Sequence, residues 1–361
     1  MRGAGSGRPD FGALAAAIEA GLAGAGIPAL SAGTQRLMTA YRSGGAPTAP
    51  VLATTADAAA YAAYRMPATA AAMALALAQT RLSLPRWRPG SLLDFGAGTG
   101  SVAWAVAAEV PSVGVLTLLE QSAVAIAAGR AILGAAQLPA LRAATWQTWR
   151  LPARQPDTGR DDDLPAADLA TVSYVLGELT SAQQAAIVAL AVRAAPVVVL
   201  VEPGTPDGHQ RILAARERLL DAGYLLAAPC PHRLACPLAA AGDWCHFAAR
   251  LPRSAVHRRA KGAQLGYEDE KFSYVAAVRP DPVGAEPAAP VLPAGRIVRR
   301  PQQRKGLVTL EVCRRDGTAG PDLIGKSAGA AYREARKSSW GARLDHARLA
   351  GTAAISQDEE L

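Results

Sequence analysis

Between residues 89 and 279, mainly apolar runs with strand composition alternate with longer alanine-rich stretches. The runs are Leu92 to Phe95, Val113 to Leu119, Leu169 to Val175 and Val197 to Val201. Runs this rich in apolar residues suit strands buried on both faces, and their alternation with helical stretches predicts a parallel sheet covered on both sides. Upstream, residues 1–88 read as helices broken by Gly and Pro, including the alanine-rich stretch Thr69 to Gln79. Lys271 to Val278 has strand composition, and the five prolines from Pro280 to Pro293 mark a linker. Beyond it, Arg296 to Arg299 and Leu307 to Val312 read as two strands, followed by a helical tail containing Tyr332 to Lys337. The expected organisation is a helical extension (1–88), an α/β domain (89–279) with a cysteine-bearing insertion at about 229–262, a Pro-rich linker (280–293) and a basic C-terminal β-structure and tail (294–361).

Composition changes this picture in two places. Half the residues are hydrophobic, which excludes disorder throughout, but only 5% are aromatic, so alanine does much of the helix packing. The net charge of +8 is uneven: Pro293 to Arg348 holds thirteen Lys or Arg against five Asp or Glu. That clustering suits an anionic partner such as nucleic acid, the alternative being a solvated basic face. A second basic stretch is Arg250, Arg253, Arg258, Arg259 and Lys261. No apolar run reaches membrane-spanning length, and the stretch from Phe11 is broken by Glu19, so neither a span nor an export signal is expected. The expected setting is a reducing cytoplasm, where four cysteines hold metal or stay free more often than they pair.

The first chemical motif is Asp94-Phe95-Gly96-Ala97-Gly98-Thr99-Gly100, a strand end followed by alternate glycines and then the helical run Ser101 to Ala108. Glycines there let the backbone approach a ligand, and the helix N-terminus offers free N–H groups. Glu120, 24 residues after Gly96, ends the next strand where a carboxylate can accept ribose hydroxyls. The spacing departs from the dinucleotide pattern and resembles the first motif of class I methyltransferases, which implies an S-adenosylmethionine (SAM) site at Asp94, Gly96, Gly98, Gly100 and Glu120. A nicotinamide or flavin site and a plain glycine turn are the alternatives. Trp146, in Ala144 to Gln147, is either an adenine-side residue or a core tryptophan. Ser173, Tyr174 and Glu178 follow the fourth strand, but no Asn/Asp-Pro-Pro-Tyr signature is present, so no acceptor atom or general base is named.

Cys230, Cys236, Cys245 and Cys313 are spaced C-x5-C-x8-C with a further gap of 67 residues. Four thiolates can hold one iron–sulfur cluster or one tetrahedral zinc ion, or the cysteines are unligated. His232 and His246 stand beside them as substitute ligands. Pro229-Cys230 also invites comparison with the nucleophile of RNA cytosine-5 methyltransferases, but it lies 27 residues past Pro203, too far from the fifth strand end.

Several segments together resemble one family: Tyr64-Arg65-Met66-Pro67-Ala68-Thr69, Asp94 to Gly100, Pro229-Cys230-Pro231-His232, Asp243-Trp244-Cys245-His246-Phe247, Tyr267 to Tyr274 and Cys313. They look like the mitochondrial small-ribosomal-subunit methyltransferase-like assembly factors and their bacterial relatives, over residues 55 to 345. The resemblance implies a class I SAM-dependent methyltransferase (Rossmann-like) fold, joined through a metal site to the C-terminal β-structure. It also implies attachment to the small ribosomal subunit and its rRNA, and a [4Fe–4S] cluster on Cys230, Cys236, Cys245 and Cys313, with zinc as the alternative. The leading expectation is a SAM-dependent methyltransferase-like protein acting in subunit assembly or translation. The competing ones are a catalytically silent assembly factor and a small-molecule methyltransferase with an incidental basic tail.

Overall fold

The computed structural model describes residues 10–23, 27–42, 52–152, 164–261, 264–280 and 289–344. Four helices lead: α1 (Phe11–Gly21), α2 (Ile27–Arg42), α3 (Thr55–Tyr64) and α4 (Met66–Ser83). Asp10 caps α1, and Thr54 with Asp57 forms a reciprocal capping box on α3. The chain breaks at Arg65, and Pro67 opens α4 in the first-turn position where its missing N–H costs nothing. Because α4 is rich in alanine, it is buried almost all round and packs closely on the helix and sheet that follow.

The main unit continues through β1 (Ser91–Phe95), α5 (Ser101–Glu109), β2 (Val115–Glu120), α6 (Ala123–Gly134), α7 (Pro139–Arg142), β3 (Thr145–Thr148) and β4 (Leu169–Ser173). Then come α8 (Ser181–Ala194), β5 (Val197–Pro203), α9 (Pro206–Asp221), β6 (Leu225–Ala228), α10 (Pro237–Ala240), β7 (Phe247–Pro252), α11 (Ala255–Lys261) and β8 (Tyr267–Val278). The strands form one eight-stranded sheet of order β3-β2-β1-β4-β5-β8-β6, with β7 also paired to β8. Strands β1 to β5 run parallel, whereas β8 is antiparallel to β5, β6 and β7. This order, with one reversed strand inserted beside β5, is the class I SAM methyltransferase arrangement, a Rossmann-like α/β fold. Val197 to Val201 have no exposed surface, as their unbroken apolar run predicts. One face packs under α4, α5 and α6, and the other under α8 and α9.

The second unit has five strands where two were expected: β9 (Gly295–Ile297), β10 (Gln302–Arg304), β11 (Leu307–Arg314), β12 (Ala319–Gly325) and β13 (Arg343–Leu344), with helix α12 (Ala330–Ala335). Ile297, Val308, Leu310, Val312, Ile324 and Leu344 form its small core. Side-chain hydrogen bonds join it to the main unit: Arg296 Nε donates to the Pro229 carbonyl at 2.9 Å, and Arg343 donates to Ser83 Oγ at 3.1 Å. Protein contacts therefore contribute to the junction, where a metal site was expected to join the two units. Most of the proline linker, 281–288, and the tail from 345 lie outside the described residues. No described helix is long and apolar enough to cross a membrane.

Candidate functional site

The sheet order reverses direction on either side of β1, so a crevice opens beyond the carboxyl ends of β1 and β4, where ligands bind in open α/β sheets. Gly96, Gly98 and Gly100 line it, with φ of 71°, 56° and 89°. These left-handed values favour glycine over any other residue. Gly96 also lacks room, since a Cβ there would meet Val175 Cγ2 at 2.5 Å. The Gly96 and Ala97 N–H groups both donate to the Leu119 carbonyl at 2.9 Å, which ties the loop to β2. Glu120 closes the turn: Oε2 accepts from Gly98 N and Oε1 from Ser122 N, each at 2.8 Å. Tyr61, from α3, covers the loop, 3.7 Å from where a Gly98 Cβ would stand.

The crevice is acidic. Asp94 is fully buried; its Oδ1 accepts from Thr171 Oγ1 at 2.7 Å, while Oδ2 has no partner. Burial pushes its carboxyl up to about 7, and the Glu120 charge adds to the rise. Burial likewise pushes Glu178 up to about 7, with Glu120 and Glu202 repelling its charge. Glu202 is raised by burial although Arg211 Nε donates to it at 2.8 Å. Carboxylates that resist ionising together favour a cationic ligand, whose charge would offset their repulsion.

Tyr174, the residue after β4, has φ 59°, the single positive φ outside glycine among the described residues. Its hydroxyl donates to Glu270 Oε1 at 2.9 Å, Arg65 Nη1 donates to Glu270 Oε2 at 2.9 Å, and the Arg65 guanidinium lies 4.6 Å over the tyrosine ring. Arg65 and Glu270 are partners 205 positions apart, a separation that leaves no local signal in the sequence. Trp146 is 8% exposed and packs on Gly129 and toward Gly100, so it is a core residue supporting the loop.

The four cysteines meet at one pocket, which His209, Arg216, His232, Tyr274 and Arg296 also line. Cys230 follows β6, Cys236 precedes α10, Cys245 precedes β7 and Cys313 lies in β11. Burial pushes the Cys245 thiol well above its ordinary range, and Cys230, Cys236 and Cys313 raise it further. Cys313 is pushed up to about 12 by burial, then by Cys230 and Cys236. Its Sγ lies 3.3 Å from His232 Nε2, whose ring partner Nδ1 is buried without a hydrogen bond. Among the described residues, no group of three or more His, Cys, Asp or Glu is gathered closely enough to hold a metal ion. His246 instead stacks on Trp244, with centroids 5.2 Å apart.

The basic residues are less free than their spacing suggested. Arg250 makes two hydrogen bonds to Asp269, Arg253 pairs with Glu268 at 3.1 Å, and Arg299 and Arg314 pair with Asp243 and Asp322. Arg258 and Arg259 are exposed on α11, which packs against α2 and α3. That helix lies the whole length of β7 from Cys245, roughly 20 Å at the rise of a strand. The Lys261 side chain lies outside the described residues.

The human mitochondrial ribosome assembly protein METTL17 is 29% identical over 308 residues, covering 78% of this chain and 61% of that protein, so the chain spans under two thirds of this relative's length. Among solved structures, an O-methyltransferase family protein from Burkholderia thailandensis aligns with TM-score 0.40 and 12% identity, covering 64% of this chain and 61% of that one. The magnesium protoporphyrin IX methyltransferase of Synechocystis with bound SAM aligns with TM-score 0.36 and 15% identity, over 60% and 79% of the two chains. The family described as mitochondrial small ribosomal subunit Rsm22 matches residues 55–345, and the chain belongs to that family.

Proposed function

We propose that this chain is a SAM-binding, methyltransferase-like protein that associates with the small ribosomal subunit and its rRNA and acts in subunit assembly or translation. The family match across residues 55–345 carries this reading, and the ribosome assembly role named for the human relative supports it. In the crevice, Glu120 would exchange its Gly98 N–H contact for the ribose hydroxyls, and the glycine loop would run beneath the methionine end. Glu178 and Asp94 would balance the sulfonium and ammonium charges, ionising more readily as a cation enters. When bound, SAM supplies an electrophilic methyl group.

One observation favours a catalytically silent factor as the second reading. Tyr174, at the strand end where an acceptor would approach, has its hydroxyl committed to Glu270 and its ring covered by Arg65. In either case Cys230, Cys236, Cys245 and Cys313 would hold a [4Fe–4S] cluster. When bound, the cluster supplies a cross-link among the segments after β6, before β7 and in β11. Support comes from the four thiols that line one pocket, a donor set suited to a thiolate-ligated centre, with zinc as the alternative occupant.

Two measurements test the reading. Co-sedimentation with purified small subunits across a salt series should show binding that weakens steeply with salt, and Arg258→Glu with Arg259→Glu should reduce both affinity and slope. Absence of co-sedimentation would remove the ribosomal assignment. Transfer of labelled methyl from SAM to rRNA then separates an enzyme from a silent factor.

A further inference from the structure

Two arginines in the cysteine pocket are buried beyond what their protein partners explain. Arg216, on α9, is 2% exposed and Arg296, on β9, is 1% exposed. Arg296 donates Nε to the Pro229 carbonyl and Nη1 to the Gln79 side chain and to the Gly341 carbonyl, at 2.9 Å for the first and third. Among the described residues none of its hydrogen-bond partners is a carboxylate, and its Nη2 is buried without a partner. Arg216 places Nη2 on the Leu234 carbonyl at 2.7 Å and pairs Nη1 with Glu217, whose side chain is 59% exposed. Its Nε, like the Arg296 Nη2, is buried and unpartnered.

A buried guanidinium without a counter-charge is costly, because burial takes it from water and no nearby anion compensates. Burial lowers the Arg296 pKa, and the groups that act against this are Tyr274, Cys230 and Cys245. The four cysteine thiols line the same pocket as this guanidinium. Register brings one of them beside it, since Arg296 is the cross-strand partner of Cys313.

We propose that Arg216 and Arg296 are positioning residues of the metal centre, each turning its unpartnered N–H toward sulfur and together neutralising an anionic thiolate-ligated cluster. This rests on the iron–sulfur reading above. Positive charge held beside such a cluster stabilises its reduced, more negative form, so these arginines should raise its midpoint potential. They should also slow loss of iron, because N–H donors to sulfur and charge balance both favour the loaded state.

The test uses the full chain purified without oxygen. Iron and acid-labile sulfide in the wild type come first: absence of both, or stoichiometric zinc, would overturn the iron–sulfur reading and this proposal with it. With a cluster present, Arg216→Met and Arg296→Met should each move the midpoint to lower potential and speed iron loss to a chelator roughly tenfold or more, the range typical of outer-shell partners. Arg216→Lys and Arg296→Lys keep the charge and should hold the midpoint near the wild-type value. Methionine variants that keep the wild-type midpoint and chelation rate would refute the arginine role while leaving the cluster standing. If a methionine variant does not fold, resonance Raman spectra of the wild type in H2O and D2O read the contact directly. Fe–S stretching bands that shift on exchange support N–H donation to sulfur, and bands insensitive to exchange overturn it.

Discussion

Gly129 tests how the core beneath the glycine loop supports ligand binding. It lies inside α6, where a Cβ would meet Trp146 Cζ2 at 2.5 Å and the Thr99 carbonyl at 3.2 Å. Gly134, at the end of the same helix, has nothing within 4 Å of its Cβ position. Alanine at a helix interior gains about 1 kcal/mol over glycine from backbone entropy. At Gly134 that gain stands unopposed, so Gly134→Ala should stabilise the protein by up to about 1 kcal/mol. At Gly129 it is opposed by overpacking of about 1–3 kcal/mol, which leaves a net loss of about 0–2 kcal/mol. For a domain of this size each kcal/mol moves the melting temperature by about 2–4 °C. Trp146 cannot retreat freely, because it packs toward Gly100, and Leu133 of the same helix stands where a Gly100 Cβ would be. Gly129→Ala should therefore weaken SAM binding as well as lower the melting temperature, whereas Gly134→Ala should leave affinity unchanged. Thermal melts and titration calorimetry on both variants provide the comparison. If Gly129→Ala melts at or above the wild type and binds SAM equally well, the core does not transmit strain to the loop as argued.

Three further outcomes are expected. Glu120→Ala strands the Gly98 and Ser122 N–H groups and removes the ribose acceptor, so SAM affinity should fall at least about tenfold, or about 1.4 kcal/mol, by calorimetry; unchanged affinity would place the ligand elsewhere. Asp94 has a folded pKa of about 7 against an ordinary value of 3.8, so its contribution is fully present below about 3.8 and is lost as pH rises through 7. Asp94→Asn should remove that part of the pH dependence, making the stability gap between variant and wild type change from pH 4 to 7 in denaturant titrations; a constant gap would contradict the raised pKa. Cys313→Ser should lose iron and colour although 67 residues separate it from Cys245, while the C-terminal sheet stays docked through Arg296 and Arg343, as limited proteolysis can show.

The features legible in the sequence are those with local causes. The glycine loop could be read because positive φ at Gly96, Gly98 and Gly100 demands that residue type, and the parallel strands because burial on both faces leaves them mainly apolar. The fourth strand ends at Ser173, two residues earlier than its apolar run, because Tyr174 turns into the left-handed region to reach Glu270. Strand β10, Gln302–Arg304, is exposed at all three positions and forms a sheet edge, so it has no apolar pattern to betray it. In β12, Gly320 and Pro321 read as turn residues yet pair with Val312 and Glu311. The arginines of the cysteine pocket were hidden for a different reason. Arginine is normally solvated, and only tertiary structure shows that Arg216 and Arg296 are enclosed.

Strand β8 works as a spacer. Glu270 holds Tyr174 and Arg65 at the crevice, while Tyr274, four residues on and on the same face, lines the cysteine pocket. At the rise of a strand those two positions stand about 13 Å apart, and pairing with β5 and β7 prevents the interval from stretching. Insertions between positions 270 and 274 should therefore be excluded from working relatives, because one added residue would both lengthen the interval and turn the following side chains to the opposite face. The two sites cannot drift apart in evolution as two domains on a linker could; whatever couples them in function has a constant length.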